Sequence, residues 1–179
     1  MDLRRDFEKV LAHLVSTRLG ALGFERKGLT IHRNRPGYLE SFNFQGSHYN
    51  VRDTRCEYFL NVGIGLPDLS RKQIQLLKRG IGAFDRHGRH TVSLSDFSPD
   101  IAWATRAREL GRGLPERWKV EPGFDAATLA ESLATAVLSA SDALVPFTAR
   151  VRLRAAPFRL FNALRRPVAQ VLDRAKLGR

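Results

Sequence analysis

Apolar residues first recur at helical spacing. Leu3, Phe7, Val10, Leu11 and Leu14 follow an i, i+4, i+7, i+8, i+11 pattern, which predicts an amphipathic helix over 2–19. Gly20 and Gly23 supply its stop signals. The period then shifts to two. "GLTIHR" (28–33), "YLESFNFQ" (38–45), "YFLNVGIGL" (58–66) and "HTVSLSDF" (90–97) alternate apolar with polar or small residues and read as four strands. "NRPG" (34–37) marks a turn between the first two.

Helical spacing returns at 70–84, where Ile74, Leu77, Ile81 and Phe84 share one face. Ser70 and Gln73 there have the spacing of a capping box. Ser98 and Pro99 read as the start of a helix over 98–110. Asp125 caps a helix over 125–145, striped by Leu129, Leu133, Ala136, Val137, Ala140 and Leu144 and ended by Pro146. In the tail, Leu160, Leu164, Val168 and Leu172 recur every four residues. Pro157 fits a helix start, and Pro167 predicts two short helices or one bent one.

This order of elements predicts an α+β fold: a four-stranded, mainly antiparallel sheet with helices packed on one face, plus a C-terminal helical tail. The expected division is a globular domain over 1–147 and a tail over 148–179. Strand parity assigns Leu29, Ile31, Phe42, Phe44, Leu60, Val62, Ile64, Val92 and Leu94 to the helical side. The other side then carries Thr30, His32, Asn43, Gln45, Asn61, Gly63, Ser93 and Ser95.

Composition adds one strong fact. The chain has 179 residues with 30 Lys+Arg against 18 Asp+Glu, a net charge of +12. The excess is concentrated: residues 148–179 hold nine Lys+Arg and one acid, Asp173. Such a segment attracts nucleic acid, an anionic membrane surface or an acidic protein. Cys56 is the only cysteine, which excludes an internal disulfide and a closed thiolate metal site. The first residues carry acids without an apolar run, so a cytoplasmic location is expected.

Candidate chemistry is sparse. Amides both donate and accept hydrogen bonds but do not titrate, so Asn43, Gln45 and Asn61 suit recognition better than acid–base work. His32 and Ser47 flank them, and Trp103 and Arg106 would be neighbours on the expected 98–110 helix. These residues form the candidate ligand surface: His32, Asn43, Gln45, Ser47, Asn61 and Arg106. In the tail, Arg150, Arg152, Arg154, Arg159, Arg165 and Arg166 are candidate anion contacts. His87 and His90 lie three apart, without the further ligands that a metal needs. "GIGAF" lacks the lysine and hydroxyl of a phosphate loop. No catalytic residue, metal or cofactor is expected.

Five phrases in order, "GFERKGLTIHR", "FNFQGS", "FLNVGIG", "WATRARELG" and "ERWKV", resemble an uncharacterised bacterial family, the domain of unknown function numbered 4304. The resemblance covers roughly residues 3–145, with Gln45, Ser47 and the "LNVGI" strand its most specific parts. It implies a compact α+β domain in a bacterial cytoplasm and no established activity, so it transfers no catalytic residue. The functional expectation is a non-enzymatic binding module whose basic tail engages an anionic partner. Its alternatives are a hydrolase-like enzyme using the amide face and an immunity or antitoxin-type protein.

Overall fold

Asp2 accepts hydrogen bonds from the backbone N–H groups of Arg4 and Arg5 and so caps helix α1, Leu3–Leu14. The computed structural model describes residues 2–81, 100–111 and 113–177, with the side chains of 79–81 and 166–177 outside that description. Leu3, Phe7, Val10, Leu11 and Leu14 are all buried, as their spacing requires. The helix widens into a π turn at Val15–Leu19 and ends in a tighter 3₁₀ turn at Gly20–Leu22.

A hairpin follows that the sequence pattern misses. β1 (Phe24–Lys27) pairs antiparallel with β2 (Thr30–Arg35), and Lys27 stands opposite Thr30. The two-residue loop holds Gly28 at φ 60°, the first position of a type II′ turn. β2 then pairs with β3 (Tyr38–Gly46), with Arg35 opposite Tyr38. Pro36 and Gly37 form the loop, and Gly37 takes φ 80° as a type II turn demands.

β4 (Cys56–Gly65) is the centre of the sheet. One edge pairs with β3; along the other, β6 (Trp118–Val120) covers Cys56–Tyr58 and β5 (Ile101–Arg106) covers Asn61–Gly65. Among the described residues the sheet therefore has six strands, not four, and every pairing is antiparallel. Its extra members are β1, β5 and β6. The expected strand over 90–97 lies outside the described residues.

Residues 101–106 form a strand where a helix over 98–110 is expected. The segment has no apolar stripe at helical spacing, and pairing with the central strand overrides its helical residues. Helix α2 (Arg71–Ile81) begins where expected, with the Ser70 N–H donating to Gln73 Oε1 at 2.9 Å.

Helix α3 runs unbroken from Ala126 to Leu177, 52 residues. It does not stop at Pro146. Pro146 and Pro157 remove the donors that would reach the carbonyls of Asp142 and Leu153. All four residues are exposed, so the broken bonds fall on the solvent side. The 147/148 division falls inside this helix, and Val151 and Ala155 beyond it are buried in the main core. The main core is an apolar cluster between the sheet and helices α1, α2 and α3, built on Phe7, Phe42, Phe44, Leu60, Val62 and Leu133. By length and composition, 126–165 could cross a membrane, yet 44% of its most apolar stretch is buried inside the protein.

Candidate functional site

Strand register brings three of the polar candidates together with Thr30. Thr30, Asn43, Asn61 and Arg106 stand in one row across β2, β3, β4 and β5. Asn43 Nδ2 donates to Thr30 Oγ1 at 3.0 Å, and Asn61 Nδ2 donates to Gln45 Oε1 at 3.1 Å. The Arg106 guanidinium lies 4.8 Å from the ring centre of Phe59, the residue opposite Gln45. His32 sits one row away opposite Ser41, its Nε2 3.4 Å from Glu25 Oε2 on β1.

This face is not the open, wet surface that alternation alone implies. Asn61, Ser41, Ile101 and Ala104 on it are buried. Asn61 is 0% exposed, and its Oδ1 has no hydrogen-bond partner among the described residues. Asn61 and Gln45 bond each other, and Asn43 bonds Thr30. Trp103 and Arg106 part company: three apart on a strand, they point to opposite faces. Trp103 turns to the helices and stacks on Phe147 of α3 at 5.0 Å.

Ser47 begins the loop after β3. Its N–H donates to the Glu57 carbonyl, and its Oγ accepts from the Tyr49 N–H at 3.2 Å. Asn50 pins this loop to β4. Its Nδ2 donates to the Glu57 carbonyl, and its Oδ1 accepts from the Glu57 N–H at 2.7 Å. A cleft of about 480 Å³ opens here, lined by Arg4, Asn43, Gln45, Ser47, Arg52 and Tyr58 among others. Cys56 also lines it, and burial pushes its thiol above the usual range. Burial likewise pushes the Tyr58 hydroxyl up. Neither group is ionised near neutrality, so the cleft presents guanidinium, amide and hydroxyl groups rather than a thiolate or phenolate. Among the described residues, no three of His, Cys, Asp and Glu come together in a metal-binding group. His87, His90, Ser93 and Ser95 lie outside the described residues.

The tail arginines divide. Arg159 is committed to the body: its Nε donates to Asp68 Oδ2 at 2.6 Å and its Nη2 to Asp68 Oδ1 at 3.0 Å and to the Gly37 carbonyl. That pairing holds the Asp68 carboxyl below its ordinary range. Arg152 lies 5.9 Å from the Tyr38 ring centre, and Arg165 lies 5.3 Å from that of Phe161. Arg150, Arg152, Arg154 and Arg165 are exposed. The Arg166 side chain lies outside the described residues.

Sequence reasoning overlooks one buried polar cluster. Arg33 and Glu40 face the helices, 9% and 2% exposed, and the Ser141 hydroxyl of α3 donates to Glu40 Oε2 at 3.2 Å. The signal lies in the turn: a two-residue Pro36–Gly37 loop sets Arg35 against Tyr38, and so Arg33 against Glu40.

The chain matches the family described as Domain of unknown function (DUF4304) over residues 15–138. No curated protein and no solved structure matches it.

Proposed function

The chain belongs to the DUF4304 family, and from that premise we propose that it is a binding module that holds an anionic partner through the distal half of α3. One observation carries this reading. Arg150, Arg152, Arg154 and Arg165 are exposed on a helix that extends past the family match, while the core holds the same helix in place through Val151 and Ala155. Rigid presentation of several cations lowers the ordering cost of binding an anionic surface. Long-range attraction then speeds encounter and fades with salt.

The amide row is less suited to the role. Its groups are paired or buried, and among the described residues no titrating group stands beside them in an acid–base arrangement. Retention of the whole protein on heparin tests the proposal. Wild type should elute at clearly higher salt than the Arg150→Gln/Arg152→Gln/Arg165→Gln variant. Equal elution of the two would remove the distal helix as the anion contact.

A further inference from the structure

We infer that the anionic partner is a lipid bilayer, with the distal half of α3 lying in the headgroup plane and its leucines inserted. The inference rests on the anion-binding reading above and names the partner for it.

The argument is one of azimuth. At about 100° per residue, Val151, Ala155 and Asn162 fall within about 40° of one another. Val151 and Ala155 are buried against the body, and Asn162 joins them through a 2.8 Å hydrogen bond from Gln73 Nε2 of α2. Leu153, Leu160 and Leu164 also fall within about 40° of one another, centred on the opposite side. They are 75%, 63% and 64% exposed. The helix therefore buries one apolar face in its own domain and presents a second, directly outward, about 17 Å long from Leu153 to Leu164. A single exposed leucine is ordinary on a protein surface; an aligned row is not.

Charge decides what the outward row meets. The arginines stand on both of its edges: Arg150, Arg154 and Arg165 along one, Arg152 and Arg159 along the other, roughly 60–120° from its centre. From 153 to 164 the outward positions between these edges carry no charge. A second copy of this chain meeting the row face to face would set arginine edges against arginine edges. A nucleic acid would meet leucines where its phosphates need cations. An anionic bilayer fits both parts: the leucines enter the acyl boundary, and the flanking guanidinium groups other than that of Arg159, which stays on Asp68, reach back to the phosphates. Phe161 is 53% exposed and lies beneath Arg165 at one edge, where an aromatic ring suits the interface.

Co-sedimentation of the full chain with vesicles of phosphatidylcholine, with and without phosphatidylglycerol, tests this. Binding is expected to the mixed vesicles and to be at least about tenfold weaker on phosphatidylcholine alone. The Leu153→Ser/Leu160→Ser/Leu164→Ser variant should lose at least about tenfold on mixed vesicles while keeping its heparin retention and melting temperature. Vesicle binding equal to wild type would overturn the inference. So would a wild type that binds heparin or polyuridylate but no vesicle, or a dimer that this variant abolishes in the absence of vesicle binding; anion binding itself would then stand. A wild type that binds no polyanion and no vesicle at low salt overturns both readings.

Discussion

Arg33 and Glu40 stand directly opposite each other on β2 and β3 and pair inside the helical side of the sheet, Nη2 to Oε2 at 2.7 Å. Arg33 also lies 4.1 Å from the Phe24 ring centre, and α3 closes over the pair through Ser141. Water has almost no access to either group.

Glu40→Ala leaves a buried guanidinium without its counter-charge. A loss of about 3–5 kcal/mol is expected in urea unfolding. The double variant Arg33→Met/Glu40→Leu removes both charges and should fall much closer to wild type. Equal losses in the two would show that the pair itself is net stabilising.

Gln45 acts on Asn61 in the same manner at smaller scale. Gln45→Ala removes the acceptor of a fully buried Asn61 Nδ2, and about 1–3 kcal/mol of stability should go with it. Chemical denaturation reads this directly. A variant with unchanged stability and altered ligand retention would return Gln45 to the role of a contact residue.

The Asp68–Arg159 clamp should respond to acid. Arg159 lowers the Asp68 pKa in the folded chain, with burial working against it. A lowered carboxyl contributes stability above its unfolded value, about 3.9, and loses it as pH falls through the lower folded value. Asp68 is 44% exposed and Arg159 26%, so the contribution is at most about 1 kcal/mol. The stability gap between wild type and Asp68→Asn should be flat near neutrality and close below about pH 4.

Cys56 should be inert in the folded chain. It is 1% exposed, and burial raises its thiol pKa. Ellman's reagent should label it orders of magnitude more slowly in buffer than in denaturant. Fast labelling of the native protein would place the thiol in an open part of the cleft.

The period-two pattern sufficed for β2, β3 and β4 because one face of each is apolar and packed. Phe42, Phe44, Leu60 and Val62 lie in the core as their parity requires. β1 escaped because "FERK" has one core residue, Phe24, among three charges, and only its hairpin register makes it a strand. In β5, residues 101, 102, 104 and 105 are buried, so both faces are covered and no alternation survives to be read. Burial on the second face also explains why the amide row was legible as a row and not as a closed one. For α3 the prolines misled. They remove a helix bond and crowd the i−4 carbonyl, and here the residues carrying those carbonyls, Asp142 and Leu153, are exposed, where water can take up the lost bonds.

α3 behaves as a keyed shaft. Ser141 and Arg159, two of its polar anchors to the body, are five turns and about 27 Å apart, so they share one azimuth. That coincidence fixes the rotation of everything threaded between and just beyond them. Side chains on the outer surface can change without turning the helix, but the number of residues cannot. One residue inserted between the anchors would swing Leu160 and Leu164 by about 100° relative to Ser141, or pull Arg159 off Asp68. Chain length over this stretch, more than any single side chain, sets the direction in which the outward row points.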